Sequence, residues 1–327
     1  MSDMARDPLQ EREMIRAALL GHAVGDALGV PVEFCSRKQL RRDPVSDLRA
    51  YGTHNQPAGT WSDDTSLTLC TAEALCEGGD LRAMAGTFER WMFEQHWTPH
   101  GEVFDIGQTT REAIFAMSRV DDPRDAGPAD ELSNGNGSLM RILPVALYWS
   151  RAHVEERRRQ VMDSSRLTHG HIRSQLACAM YAELVAELLH GRPFGEALAS
   201  AQQWVRRWID RYDRTESQVF QGLLNPSQAN FKPREISGSG YVIDCLLASL
   251  WCCANTNSYE AAVLRAVNLG DDTDTTAAVT GGLAALIHGP KSVPRLWVDR
   301  LARREEVGRL YERFAEACLR YWKEPPQ

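Results

Sequence analysis

Apolar residues in this chain recur at helical spacing from near its beginning to its end, and almost nowhere alternate with the two-residue period of a strand. Between Glu11 and Leu28, for example, Ile15, Leu19, Ala23 and Ala27 fall four apart, and Gly29 and Pro31 stop the pattern. Comparable patterns cover Thr65–Cys76, Leu81–Glu94, Thr109–Met117, Ser138–Trp149, His171–Leu189, Pro193–Arg211, Gly240–Cys253, Tyr259–Val267, Thr273–Ile287 and Val307–Trp322. A run such as Leu139–Tyr148 is short enough for a strand, but Ala, Leu, Glu and Arg dominate where β-branched residues would be wanted. The class expected is all-α. At 327 residues the chain can bury a core without disulfides. No repeat or linker composition divides it, so a single domain over 1–327 is expected, with residues 1–10 and 324–327 flexible.

Charge and apolar pattern exclude several functions. The chain has 37 basic and 44 acidic residues, a formal charge of -7, and no basic run to track phosphates, so nucleic acid is not an expected partner. Most cysteines, among them Cys70, Cys178, Cys245, Cys252 and Cys253, lie inside apolar helical patterns without metal-ligand spacing, as reduced packing residues would. The stretches judged most apolar, Cys245–Ala254 and Leu283–Ile287, are too short to span a membrane, and MSDMARDPLQEREM lacks the core of a secretion signal. A cytoplasmic monomer with no membrane partner is the expectation.

Two acidic helix starts carry the chemistry. Gly59-Thr60-Trp61-Ser62-Asp63-Asp64-Thr65-Ser66 precedes one apolar helix and Gly270-Asp271-Asp272-Thr273-Asp274-Thr275-Thr276 another. Capping a helix uses one side-chain oxygen, not two carboxylates flanked by hydroxyls. Asp63, Asp64, Asp272 and Asp274 together carry four negative charges, which two divalent ions would cancel and which would otherwise be costly to cluster. With no His or Cys in either motif, Mg²⁺ or Mn²⁺ suits them better than zinc or copper, and calcium is a further oxygen-seeking ion. Paired ions of that kind fit metal-assisted hydrolysis or carbocation chemistry rather than redox catalysis.

Around them stand glycine-rich turns. Asn134-Gly135-Asn136-Gly137-Ser138-Leu139-Met140-Arg141 and Gly238-Ser239-Gly240-Tyr241-Val242 each lead into a helix with free backbone N–H groups, pointing to a ligand with phosphate, ring oxygens and a base for Tyr241 to stack on. Gly21, Gly25 and Gly29 are four apart, as in close helix packing, yet enclose Asp26, a carboxylate that needs partners; Glu33 in the following loop can approach the metal cluster as a base or substrate ligand. His169, in a turn before a long helix, can bond a substrate or orient an acid. No serine nucleophile elbow and no Schiff-base lysine is evident.

In combination these motifs resemble the ADP-ribosylglycohydrolases, including the dinitrogenase reductase-activating glycohydrolase, from Gly21 to Asp274. Gly25-Asp26-Ala27-Leu28-Gly29 to Glu33 is similar to the family opening, and Trp61-Ser62-Asp63-Asp64-Thr65 to its first metal motif, with Ser62 where threonine is common. The resemblance implies a compact, orthogonal multi-helix fold. Two divalent cations, Mg²⁺ or Mn²⁺, would sit between Ser62, Asp63, Asp64, Asp272, Asp274 and Thr275, and ADP-ribose would be held by residues 134–138, His169 and residues 238–241. Phe104-Asp105-Ile106-Gly107-Gln108-Thr109-Thr110-Arg111 is most similar to members that release ADP-ribose from arginine. Asp105 is then the first candidate for the guanidinium or for proton transfer and Glu33 the second, with ADP-ribosylated protein as substrate and ADP-ribose as product. Serine-linked or O-acetyl-ADP-ribose and an inactive ADP-ribose binder are the alternatives. A terpene-synthase-like lyase is disfavoured, because Leu67 stands where its aspartate signature needs an acid.

Overall fold

The computed structural model describes residues 7–209, 211–212 and 214–323. Among them there is no strand: α-helices and a few 3-10 turns are joined by loops, with isolated bridges at Tyr51–Gln56 and Gly135–Tyr241. The first helix, Pro8–Gly29, starts where Asp7 accepts from the Leu9 amide and Pro8 tolerates the missing donor. Residues 7–10, expected to be part of a flexible tail, thus form its cap and first turn; residues 1–6 and 324–327 lie outside the described residues.

This helix is apolar on nearly every side because it lies at the centre of the fold, against Thr273–His288, Arg304–Lys323, Tyr259–Val267 and Asp63–Cys76. Pro8–Val32 contains an 18-residue window apolar enough to cross a membrane by length and composition, but 89% of that window is buried inside the protein. The two stretches singled out from sequence as most apolar were therefore not the longest. Its glycines face Thr273–His288 so closely that added Cβ atoms would meet Gly281 O at 2.6 Å from Gly21, Ala277 O at 2.1 Å from Gly25 and Asp274 Cα at 2.2 Å from Gly29. Backbone on backbone contact along this seam places Gly29 against Asp274.

The remaining helices enclose this pair. Asp63–Cys76 packs on Leu81–Glu94, Ile172–Leu189 lies among Val154–Arg166, Phe194–Ile209 and Leu143–Tyr148, and Val242–Ala254 leans on Thr273–His288. All eight cysteines are unpaired. Two expectations are corrected. Ser138–Trp149 is helical only over Leu143–Tyr148, because Ser138 and Arg141 are engaged by the 164–168 turn. Val154–Arg166 was not anticipated as a helix: its inward face is built from Arg157 and Arg158, whose stems bury while their guanidiniums meet Glu183.

Candidate active site and metal centre

The first acidic helix is capped from outside. Ser62 is its N-cap, accepting from the Asp64 amide at 3.2 Å, and Asp26 of the central helix accepts from the amides of Ser62 (2.9 and 3.1 Å) and Thr65 (3.0 Å) and from the Thr65 hydroxyl (2.6 Å). Three donors, the Ser62 amide reaching both oxygens, converge on one buried carboxylate, which locks this helix start to the Gly25–Gly29 seam. Burial pushes Asp26 up to about 6, and the bonds from Thr65 and Ser62 hold it from rising further. The second acidic helix starts at Asp272, whose amide donates to Gly238 O at 2.9 Å, while Thr273 Oγ1 donates to Gly29 O at 2.9 Å. Both acidic motifs are therefore anchored at the same end of the central helix.

There they converge. Thr275 Oγ1 and Ser62 Oγ donate to Asp64 Oδ2 at 3.1 and 3.2 Å, and Asn136 Nδ2 donates to Asp272 Oδ2 at 2.8 Å. Carboxylate oxygens of Glu33, Asp272 and Asp274 lie within 4.8 Å of one another. Of the six residues expected to bind metal, Ser62, Asp63, Asp64, Asp274 and Thr275 are buried and Asp272 is half-buried. Yet Asp64 Oδ1, Asp272 Oδ1 and both oxygens of Asp274 meet no hydrogen-bond donor. Burial first, and neighbouring carboxylates second, hold Asp64 and Asp274 well above the usual carboxylate range, and Asp63 rises for the same reasons. Buried acceptors without donors, in an oxygen-only set that includes two hydroxyls, fit a hard divalent cation.

The cluster opens into a cavity of about 340 Å³. Asp63, Asp272 and Thr275 contribute to its lining, as do Gly135, Asn136, Gly137, Gly240 and His169. The two glycine loops are bridged by Asn136 N to Gly240 O (3.0 Å) and Val242 N to Asn134 O (3.1 Å). Gly137 has no Cβ where one would stand 2.8 Å from His169 Cε1, so the ring packs onto the loop. His169 Nδ1 bonds Thr168 Oγ1 at 3.0 Å, and that oxygen also accepts from Arg141 at 2.7 Å. Burial, aided by Arg141, lowers His169 to about 3, so it is neutral. Other residues expected to hold ligand stand behind the lining. Ser138 is fully buried and accepts from Ser165 Oγ, Asn134 pairs its backbone with Val242, and Gly238 accepts from Asp272. Ser239 donates to Asp244 at 2.7 Å, and the Tyr241 hydroxyl accepts from Arg173 at 3.4 Å. These side chains shape the loops rather than face the cavity.

Glu33 and Asp105 also line the cavity, and between them stands His54, which sequence reasoning missed. Its Nε2 bonds Glu33 Oε2 and lies 3.7 Å from Asp105 Oδ1. Burial, together with nearby charges from Asp274 and Asp272 for Glu33 and Asp63 and Glu33 for Asp105, pushes both acids up to about 10. Asp105 adopts a left-handed backbone, φ 59°, a conformation that non-glycine residues hold when the surroundings impose it. The signal for His54 was its place in the unusually long irregular connection from Pro31 to Trp61. Asp26 was noticed, but its role as an external cap depends on a fold that brings Ser62 and Thr65 to it.

The comparisons with known proteins agree with this geometry. The sequence profile of the ADP-ribosylglycohydrolase family matches residues 6–323. The chain is 32% identical over 306 residues to the ADP-ribosylarginine hydrolase Tri1 of Pseudomonas putida (strain GB-1), covering 93% of this chain and 78% of that protein. It is 28% identical over 295 residues to the ADP-ribosyl-[dinitrogen reductase] glycohydrolase of Rhodospirillum rubrum, covering 87% and 88%. A solved structure described as an ADP-ribosylglycohydrolase-related protein complex superposes with a TM-score of 0.76 at 30% identity, over 95% of this chain and 99% of that one. The chain belongs to the ADP-ribosylglycohydrolase family.

Proposed function

We propose that the protein is a hydrolase that uses two divalent cations, Mg²⁺ or Mn²⁺, to remove ADP-ribose from modified protein, cutting the N-glycosidic bond to arginine. The observation that carries this reading is the set of donorless carboxylate oxygens on Asp64, Asp272 and Asp274, buried beside a cavity lined by glycine loops and two further acids. Ser62, Asp63, Asp64, Asp272, Asp274 and Thr275 would hold the cations, whose positive charge offsets the clustered carboxylates and makes a water more acidic beside the ribose. The Gly135–Gly137 loop, Gly240 and neutral His169 suit a phosphate-bearing ribose ligand, with amides and an imidazole but no fixed charge facing it.

Hydrolysis breaks the bond from the anomeric carbon to the guanidine nitrogen and joins that carbon to a water oxygen. The water gives up a proton and the leaving nitrogen takes one. Glu33 and Asp105, which flank His54 at the cavity, are the acids outside the assigned metal ligands that can carry these protons. Asp105 is assigned to the guanidine side and Glu33, fixed by His54, to the water. Support for the arginine linkage comes from the name of the Pseudomonas putida relative and from Asp105, an acid at the cavity outside the assigned metal ligands.

The test is a side-by-side assay of metal-loaded protein on arginine-linked, serine-linked and O-acetyl-ADP-ribose. Release of ADP-ribose from the arginine-linked substrate, lost on chelation and in Asp63→Asn, is expected. Absence of release from all three would overturn the proposal.

A further inference from the structure

Phe34 occupies an unusual position. Pro31, Val32 and Glu33 are buried before it, yet its ring is 68% exposed and lines the cavity. Its backbone is left-handed, φ 62°, which is costly for a bulky residue and persists only when neighbours enforce it. The neighbour is Asp271: the Phe34 amide donates to Asp271 O at 2.7 Å and the Asp271 amide to Cys35 O at 2.9 Å. What sets Phe34 apart from the other exposed apolar side chains is that its ring lines the cavity while its backbone is held in a strained conformation.

The ring is one end of an aromatic row. His54 lies 6.1 Å from it, centroid to centroid, and Phe104 lies 5.2 Å beyond His54. The Gly52–His54 turn that carries the imidazole can rest on Pro31 because Gly52 has no Cβ, which would stand 1.9 Å from Pro31 O; Thr53 Oγ1 then donates to Glu33 O at 2.7 Å. One imidazole thus backs the exposed ring and bonds the Glu33 carboxylate. An aromatic face and two carboxylates, those of Glu33 and Asp105, are presented together at the cavity.

A planar, weakly hydrated cation is what such a combination recognises, since a guanidinium stacks on aromatic faces while its edge pairs with carboxylates. We infer that Phe34 is the specificity-determining residue on the acceptor side, its ring stacking on the guanidinium of the modified arginine while Asp105 faces the cation's edge. This rests on the arginine-linked reading above. A serine hydroxyl or an acetyl ester has neither the plane nor the charge, so Phe34 discriminates between linkages and leaves the ADP-ribose half, held by Gly135, Gly137 and His169, unaffected.

The experiment compares metal-loaded wild type, Phe34→Leu and Phe34→Trp. Phe34→Leu is expected to lower kcat/KM on arginine-linked substrate about tenfold, through KM, with Phe34→Trp retaining most of it. ADP-ribose affinity by calorimetry, and any turnover of serine-linked substrate, should stay within about twofold of wild type, because neither ligand presents a guanidinium for the ring to stack on. A binding readout that needs no turnover accompanies it: saturation-transfer NMR with agmatine in the presence of ADP-ribose should show transfer from aromatic protons in wild type, lost in Phe34→Leu. Equal losses on every linkage, no loss on arginine, or agmatine signals that are absent in wild type or unchanged in Phe34→Leu would overturn the inference. A wild type that cleaves no arginine linkage defeats the proposed function, and the agmatine result still decides the role of Phe34.

Discussion

Replacing Gly25 by alanine should destabilise the protein even though alanine is the better helix former. In an unobstructed helix the substitution gains about 1 kcal/mol. At Gly25 the new Cβ would lie 2.1 Å from Ala277 O and 2.6 Å from its carbonyl carbon, roughly 1 Å inside ordinary contact. The obstacle is backbone, so the two central helices must move apart, at an overpacking cost of about 1–3 kcal/mol or more. We expect a net loss of about 2 kcal/mol on these magnitudes. Gly86 and Gly308 are internal controls: both sit within helices, Leu81–Glu94 and Arg304–Lys323, where an added Cβ meets nothing within 4 Å. Alanine there should be neutral or stabilising by up to about 1 kcal/mol. Guanidinium unfolding of metal-free protein, followed by tryptophan fluorescence, measures all three. Because the seam positions Asp26 against the Ser62 amide and Gly29 against Asp274, Gly25→Ala should also weaken Mn²⁺ binding, whereas Gly86→Ala should not. A Gly25→Ala protein as stable as Gly86→Ala, with unaltered metal affinity, would refute the claim that the glycine seam assembles the site.

Other consequences follow from the same structure. Asp63, Asp64 and Asp274 bind protons more tightly folded than unfolded, so the metal-free protein should lose their contribution as pH rises from below about 4 through their raised folded values; the wild type minus Asp63→Asn/Asp274→Asn difference in Tm should become less favourable between pH 5 and pH 8. Mn²⁺, which needs those groups ionised, should then raise Tm more at pH 8 than at pH 5, and an equal gain at both would contradict the sign. Asp26→Asn places an amide against the Ser62 and Thr65 donors, and should cost about 2–4 kcal/mol in denaturant unfolding and weaken metal binding without removing a ligand. Arg141 is fully buried with Phe88 under its guanidinium and bonds to Ser164 O and Thr168 Oγ1; Arg141→Met should loosen His169 and weaken ADP-ribose binding by calorimetry, while Mn²⁺ affinity is retained.

What sequence alone could show was local. Asp63 and Asp64, and Asp272 and Asp274, stood out because adjacent carboxylates at a helix start exceed what capping requires, and Gly21, Gly25 and Gly29 because fourfold spacing marks one helix face. Where side chains point was less legible. Ser239 and Tyr241 sat in a suggestive loop, but Ser239 turns to Asp244 and Tyr241 to Arg173, partners distant in kind or in sequence. The helix Val154–Arg166 lacked an apolar stripe because arginine stems, whose charge hides their length of hydrocarbon, take its place. His54 is placed by contacts within the 31–61 connection, and the left-handed backbone of Phe34 by its bonds to the 269–272 loop, and no periodicity encodes such contacts.

The central claim is that remote acidic helix starts form one cation-binding centre. Calorimetric titration of demetallated protein with Mn²⁺ addresses it directly, alongside Asp63→Asn and Asp274→Asn, with helical circular dichroism to show that each variant is folded. The expected result is two ions per chain, with binding lost or sharply weakened by either substitution. Folded wild type that takes up no Mn²⁺ or Mg²⁺, or uptake that both substitutions leave unchanged, would contradict the account.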